Sequence, residues 1–170
     1  MIYVKIAIYP GSFDPITSGH LNIIRRASAI FDHLVVCVMV NSGKNPMFSQ
    51  EERVEMIRKV TSDLPNVEVD SSSELLAEYA RKRGSCVIVK GLRAGSDFEN
   101  EFQMALINRK INADLDTMFL TAEHQFTYLS SSMVKELAFY DVELSEFLPE
   151  VIIPDFQKRI NELRQGGNPK

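Results

Sequence analysis

The chain has 170 residues and a formal net charge of −4, with 45% hydrophobic and 25% charged residues. That length suits one domain with a substantial core, and the composition is ordinary for a soluble globular protein. The acidic balance argues against general nucleic-acid binding. No apolar run approaches the ~20 residues that cross a bilayer, and no signal-peptide pattern opens the chain. We therefore expect a cytoplasmic protein that binds neither nucleic acid nor membrane.

Short apolar runs alternate with segments of helical periodicity along the whole chain. Strands are predicted at 4–9, 34–40, 67–69, 86–90 and 117–121, and helices at about 21–31, 49–60, 74–83, 98–111, 130–139 and from 149 onward. The strands are continuous apolar runs, which is typical of a parallel sheet covered on both faces. We expect an α/β fold of Rossmann-like, doubly wound type: a five-stranded parallel sheet with helices on both faces, plus C-terminal helices.

No internal repeat or linker divides the chain, so we expect a single domain over 1–170. Within it, a C-terminal helical segment is expected at about 130–165 and a frayed tail at 166–170. The two cysteines, Cys37 and Cys86, fall inside predicted buried strands. They are therefore expected to be small core residues rather than a disulfide or a metal site.

The most informative stretch follows the first predicted strand and reads Gly11-Ser-Phe-Asp-Pro15, then Thr17-Ser-Gly-His20. A loop that enters a helix presents unpaired amides and the positive end of the helix dipole, which suits a phosphate. His20 lies three residues after Thr17, so both side chains are expected to face the same anion. Beside a polyphosphate the imidazole should gain proton affinity. The stretch matches neither the dinucleotide fingerprint nor the P-loop.

Other polar residues follow the later strands. Lys44 lies in the loop after the second strand, and Lys90 and Arg93 flank a glycine after the fourth. Three serines, 130–132, precede a helix and predict a second anion cradle. Because ligands of doubly wound sheets bind beyond the carboxyl ends of the strands, we expect these groups to converge.

These residues also carry a family resemblance. The first loop resembles the signature of the nucleotidyltransferase superfamily, and Thr17 in the first place of its T/H-x-G-H tetrad is similar to the phosphopantetheine adenylyltransferases. Their other motifs are matched in order from about residue 5 to 150, by Lys90-Gly-Leu-Arg-Ala94, Asp97-Phe-Glu-Asn-Glu101 and Ser130-Ser-Ser-Met-Val-Lys135. Two positions depart from the usual pattern: Asn100 stands where an aromatic residue is common, and Phe126 lies in a variable stretch.

The resemblance implies a nucleotidyltransferase domain that transfers the adenylyl group of ATP to 4′-phosphopantetheine. The products are dephospho-coenzyme A and pyrophosphate. It further implies Mg²⁺ carried by the ATP phosphates with no metal site of protein ligands, a homohexamer, and feedback inhibition by coenzyme A. The acceptor phosphate is already anionic, so direct in-line attack needs positioning and fixed positive charge rather than a general base.

The resemblance also implies residue roles. His20 and Lys44 would be catalytic, stabilising the transition state. Ser12, Lys44, Leu76 and Lys90 would bind the acceptor. The nucleotide would contact Ser12, Phe13, His20, Gly91, Leu92, Arg93, Glu101, Phe126, Thr127, Tyr128, Leu129, Ser130, Ser131 and Ser132.

Two alternatives to this activity remain open from the residues. One is another nucleotidyltransferase of the same superfamily, using nicotinate mononucleotide or transferring a cytidylyl group. Thr17 and the 90–93 motif speak against it. The other is a nucleotide-binding module without chemistry, which would bind ATP and release no pyrophosphate.

Overall fold

The computed structural model describes residues 5–40, 45–85, 87–93 and 95–166. Five strands form one parallel sheet in the order β3-β2-β1-β4-β5. Their bounds are β1 Ile6–Gly11, β2 His33–Met39, β3 Val67–Ser72, β4 Val87–Leu92 and β5 Asp116–Thr121. The predicted five-stranded parallel sheet is therefore confirmed.

Six α-helices connect and cover the strands. Their bounds are α1 Ser18–Ile30, α2 Gln50–Val60, α3 Leu76–Lys82, α4 Gly95–Ile111, α5 Ser131–Ala138 and α6 Ile153–Gly166. Short 3₁₀ turns lie at His124–Phe126 and Glu150–Ile152. Pro154 stands in the first turn of α6, where its missing amide hydrogen costs no hydrogen bond, so it starts a helix rather than interrupting one.

Alternate residues of the three central strands, β1, β2 and β4, enter two different cores. One core lies under α1, α2, α5 and α6, and the other lies under α3. In β1, Ala7 and Tyr9 face the first core while Ile8 faces the second. Because both faces are buried, the strands read as continuous apolar runs instead of alternating ones.

Local signals set several helix boundaries. Ser49 and Glu52 form the capping box that opens α2, and Gly84 follows α3 with a positive φ of 65°. Cys37 is buried in β2 with a free thiol, and burial raises its pKa to about 11. Cys86 lies outside the described residues. In the described part of the chain no helix is both long and apolar enough to cross a membrane.

Candidate active site

A cavity of about 430 Å³ opens where the strand order reverses, between the carboxyl ends of β1 and β4. The connections that leave these two neighbouring strands run in opposite directions, which leaves a crevice at this point. The loop after β1, the N-terminus of α1, the end of β4 and the segment before α5 supply its walls. The lining residues are Tyr9–Phe13, Thr17, Gly19, His20, Ile23, Lys90, Gly91, Arg93, Glu101, Ala122, Phe126 and 129–132.

The loop after β1 is held in an unusual shape. Phe13 has a positive φ of 46°, and its ring is buried between Tyr9 and His20 in edge-to-face contacts, at centroid distances of 5.4 and 5.1 Å. The next peptide bond, between Asp14 and Pro15, is cis. Ser12 is left exposed at the mouth of the cavity. Phe13 therefore packs as a wall of the site, and Ser12 offers its hydroxyl to a ligand.

Thr17 and His20 bind each other at the start of α1. The Thr17 hydroxyl accepts a hydrogen bond from the His20 amide at 3.3 Å, and the Nδ1 atom of His20 accepts one from the Thr17 amide at 3.0 Å. This is a capping box with histidine in the place of the usual Glu or Gln. Both residues line the cavity, but the Thr17 hydroxyl is engaged as the cap and the residue is 1% exposed.

His20 is a neutral donor in this arrangement. An Nδ1 atom that accepts an N–H bond carries no hydrogen, so the ring proton is inferred to lie on Nε2. Burial, together with the nearby positive charge of Arg93, lowers the pKa of His20 to about 4. The pKa therefore shifts opposite to the direction expected from a bound polyphosphate. A motif can suggest an anionic ligand, but how far the ring loses contact with water depends on what the folded chain packs around it.

The first turn of α1 has fewer available amides than an isolated helix. Ser18 donates its amide to the Phe147 carbonyl at 2.9 Å, and the His20 amide is used by Thr17. Among the described contacts of this turn, the Gly19 amide is left for a ligand, and Gly19 lines the cavity.

Helix α5 brings a second N-terminus to the same cavity. Ser130 is its N-cap and accepts the Met133 amide at 3.2 Å, while Ser131 donates its hydroxyl to the Pro15 carbonyl at 2.7 Å. All three predicted serines, 130–132, line the cavity. Two helix dipoles thus point their positive ends at one space, which favours an anionic ligand.

The end of β4 supplies cations whose contacts differ from the expectation. Lys90 forms an ion pair with Glu101 of α4 at 3.1 Å, so a residue predicted to bind the nucleotide neutralises one predicted to bind the acceptor. Arg93 donates to the Leu129 carbonyl at 3.0 Å and so ties β4 to the segment before α5. Gly91 lies between them, and a β-carbon there would come within 3.0 Å of Ile23. A side chain at position 91 would therefore require Ile23 of α1 to shift.

Some predicted site residues lie elsewhere. Leu76 packs at the border of the core under α3 and does not line the cavity, nor do Leu92, Thr127 and Tyr128. Lys44 lies outside the described residues. In the described part of the chain, no group of three or more His, Cys, Asp or Glu side chains is placed to hold a metal ion.

The structure adds cavity residues that were not predicted. Tyr9, Ile23 and Ala122 line the cavity. Burial raises the pKa of the Tyr9 hydroxyl, and Arg93 partly offsets that effect. Tyr9 is the last β1 residue facing the α1 side before the loop, so the alternation of the strand could have identified it.

Comparisons with known proteins show the family of the chain. The family model for cytidylyltransferase-like proteins matches residues 8–137. The phosphopantetheine adenylyltransferase of Alkaliphilus metalliredigens is 53% identical over 92% of this chain and 99% of its own length. That of Caldanaerobacter subterraneus subsp. tengcongensis is 52% identical over 88% of this chain and 93% of its own.

One solved structure has the same fold at low sequence identity. The nicotinic acid mononucleotide adenylyltransferase of Plasmodium falciparum, complexed with NaAD, superposes with a TM-score of 0.67 at 16% identity. The superposition covers 97% of this chain and 99% of that one. At this identity the likeness concerns the fold alone, whereas the two adenylyltransferase relatives are about half identical over most of the chain. The chain therefore belongs to the phosphopantetheine adenylyltransferases, within the cytidylyltransferase-like family.

Proposed function

We propose that this protein transfers the adenylyl group of ATP to the phosphate of 4′-phosphopantetheine, giving dephospho-coenzyme A and pyrophosphate. The observation that carries the proposal is the meeting of two helix N-termini with Lys90 and Arg93 around one cavity. A site for two phosphorylated molecules needs this much positive potential, because the substrates repel each other. The membership of a family whose named relatives are phosphopantetheine adenylyltransferases supports the choice of acceptor.

The proposed reaction is one in-line displacement. An oxygen of the acceptor phosphate attacks the α-phosphorus of ATP, a new P–O bond forms, and the bond to pyrophosphate breaks with its electron pair leaving on the pyrophosphate. The acceptor is anionic before it reacts, so no side chain has to remove a proton. Positioning and the stabilisation of charge on the α-phosphate supply the catalysis.

His20 and Lys44 are proposed to stabilise the negative charge that develops on the α-phosphate. With Nδ1 fixed by the Thr17 amide, the Nε2–H of His20 is held in a set direction and can donate to a non-bridging α-phosphate oxygen. A donor fixed in this way needs no reorganisation as negative charge grows. Lys44 is proposed from its place in the motif pattern alone.

The other roles divide between the two substrates. Ser12, Lys44 and Lys90 are proposed for the acceptor. Leu76 does not line the cavity and is proposed for the acceptor from its place in the family pattern alone. For Lys90 the ion pair with Glu101 implies an exchange of partners, in which the acceptor phosphate takes the place of the carboxylate. The nucleotide is assigned to Ser12, Phe13, His20, 91–93, Glu101 and 126–132. Leu92, Thr127 and Tyr128 contribute to it through backbone or outer contacts, since they do not line the cavity.

Mg²⁺ is proposed to enter with ATP. The ion commonly binds through substrate phosphates and keeps several waters, so it needs no cage of protein ligands. When bound, it neutralises charge on the phosphates. Coenzyme A, which shares the pantetheine arm of the acceptor, is proposed to compete at this site as a feedback inhibitor. A cytoplasmic location follows from where ATP and the acceptor would be available.

A homohexamer is proposed from the family resemblance, and the surface of α4 supports self-association. Six apolar side chains on this helix are 36–55% exposed: Phe98, Phe102, Met104, Leu106, Ile107 and Ile111. A helix with this much exposed apolar surface is usually covered by a partner, here a second copy of the chain. Light scattering should give six times the 19.3 kDa chain mass, and Leu106→Glu should lower it.

A single activity assay tests the function. Purified protein is incubated with Mg·ATP and, in turn, 4′-phosphopantetheine, nicotinate mononucleotide or no acceptor, and pyrophosphate is measured. We expect pyrophosphate release from ATP when 4′-phosphopantetheine is the acceptor, and none with the mononucleotide or without an acceptor. Release with the mononucleotide, or ATP binding without release under any acceptor, would favour one of the two alternatives. CTP in place of ATP tests the cytidylyl version. The single domain over 1–170 is tested by a single unfolding transition.

A further inference from the structure

The loop that carries Ser12 and Phe13 is fastened by one buried carboxylate. Asp14 is 6% exposed, and its Oδ1 accepts the Phe48 amide at 2.9 Å. Its Oδ2 accepts the Met47 amide at 2.9 Å and the ammonium group of Lys135 at 2.8 Å. Asp14 therefore has three donors from two separate parts of the chain, and none of these four residues lines the cavity.

The Met47 and Phe48 amides belong to a segment that packs against α6 and forms a wall beside the loop. The Phe48 side chain is 2% exposed and packs on Phe156 at a ring distance of 5.9 Å, with the guanidinium of Arg159 over its face at 5.5 Å. Two residues later α2 begins, and its Arg53 donates to the Ser12 carbonyl at 2.9 Å. The loop is thus bound at Ser12 and at Asp14 to a wall that packs against α6.

The lysine on the other side belongs to the helix that carries the serines. Lys135 lies one turn beyond Ser131 in α5, and Ser131 makes its own contact with the Pro15 carbonyl. A short helix moves as one body, so the Lys135–Asp14 pair sets where the serine-bearing N-terminus stands relative to Ser12. The pair is shielded, with the two side chains 27% and 9% exposed, so its attraction is screened less than that of a surface pair.

We propose that Lys135 is a positioning residue: through Asp14 it fixes the separation between the loop of Ser12 and the serine-bearing end of α5. The inference rests on the proposed function, in which these two parts hold the phosphates of two reacting molecules. A displacement of about 1 Å between reacting groups can cost ~10²-fold in rate. Loss of the pair should therefore reduce turnover more than nucleotide binding, because the cavity wall where Gly91 lies against Ile23 of α1 does not depend on Asp14 or Lys135.

The test compares three substitutions of Lys135 with a matched control. Lys135→Met removes the charge, Lys135→Gln keeps a weaker hydrogen bond, and Lys135→Arg keeps the charge. Lys59→Met is the control, because Lys59 pairs with Asp155 at 2.6 Å and neither residue lines the cavity. For each protein, kcat and the KM for ATP come from pyrophosphate release at saturating acceptor, and Tm from calorimetry.

Lys135→Met is expected to lower kcat by about 10–100-fold, with the KM for ATP changed by less than about threefold. Lys135→Gln should give a kcat between those of Lys135→Met and the parent. Lys135→Arg should recover kcat to within about threefold of the parent. The control should stay within about twofold for both constants. Assays run well below each Tm, so a few degrees of lost stability do not reduce the folded fraction.

Two results would overturn this inference and leave the proposed function intact. One is an active parent with the kcat of Lys135→Met within about threefold of the parent's. The other is a loss in kcat that is matched by the loss of folded protein. If Lys135→Met does not fold, the comparison of Lys135→Gln with Lys135→Arg decides in the same way. A parent that releases no pyrophosphate overturns the proposed function and this inference together, so the two failures are distinguishable.

Discussion

The backbone amide of Thr17 donates to the Nδ1 atom of His20 at 3.0 Å, which fixes both the ring and its tautomer. The same contact completes the cap of α1, so the structure that starts the helix also orients the proposed catalytic donor. A histidinium would place an Nδ1–H against the Thr17 amide, and the contact would be lost. The cap and the neutral ring are therefore coupled.

Replacing His20 with alanine should lower kcat by about 10²–10³-fold, the usual cost of one preorganised donor. The fold should persist, because the Thr17 hydroxyl still caps the His20 amide position at a cost of about 1 kcal/mol or less for the lost half of the box. Pyrophosphate release and calorimetry measure the two effects. A variant that keeps near-normal turnover would remove His20 from the mechanism.

Acid should destabilise the protein partly through His20. Its pKa is about 4 in the folded chain and near 6.5 when exposed, so above pH 6.5 both states are neutral and the residue contributes no difference. Between pH 6.5 and 4 the unfolded chain binds the proton first, and stability falls as the pH falls. The contribution is at most ~1.4 kcal/mol per pH unit.

Urea unfolding of the parent and of His20→Asn between pH 7.5 and 4.5 isolates this contribution. The variant should lose less stability over the acid half of that range, because it has no imidazole that takes up a proton in the unfolded chain but not in the folded one. Parallel curves for the two proteins would show that the His20 ring is not protected from protonation in the folded state.

Much of the fold was predictable from local pattern. The apolar runs around Ile8 and Val35 predicted strands buried on both faces, and Ser49 with Glu52 predicted the start of α2. The convergence of the first loop, the 90–93 motif and the serines followed from one rule about parallel sheets, and the cavity contains all three. These predictions depended on periodicity and spacing, which a sequence displays directly.

Pairing between distant side chains was not predictable in this way. The sequence places Lys90 and Glu101 eleven positions apart and does not show that they neutralise each other. The Asp14–Lys135 pair spans 121 positions. Desolvation of His20 likewise depends on what the folded chain packs around it. Leu76 illustrates the converse, because a motif position implied a contact that the described cavity does not include.

Arg53 should be important for both stability and turnover. It is 4% exposed and donates to the Ser12 carbonyl at 2.9 Å and the Ser49 carbonyl at 3.2 Å. Arg53→Met removes the guanidinium donor from both carbonyls, while the Ser49 carbonyl still accepts the backbone amide of residue 53. The expected cost is about 1.5–3 kcal/mol, the usual range for hydrogen bonds to a charged group. Tm should fall by roughly 3–12 °C, given ~2–4 °C per kcal/mol at this chain length.

The same change should raise the KM for the acceptor, because Ser12 loses the contact that sets its position. Arg58→Met is a suitable control, since Arg58 lies on the same helix with its side chain 59% exposed. In the control, Tm and the KM for the acceptor should both stay near the values of the parent. Equal behaviour of the two variants would contradict a supporting role for Arg53.

Two glycine substitutions should separate close packing from backbone strain. A β-carbon at Gly91 would lie 3.0 Å from the Ile23 Cγ1 atom, so Gly91→Ala should push β4 away from α1 at the cavity wall. Overpacking of this kind costs about 1–3 kcal/mol, and we expect the KM for ATP to rise by about tenfold.

Gly84 has a φ of 65° and open space around its β-carbon position, so Gly84→Ala should cost about 1 kcal/mol by strain alone. Its Tm should fall by roughly 2–4 °C with the KM for ATP unchanged. Steady-state kinetics and calorimetry on the pair distinguish the two effects, and an unchanged KM in Gly91→Ala would show that the nucleotide does not depend on this approach of β4 to α1.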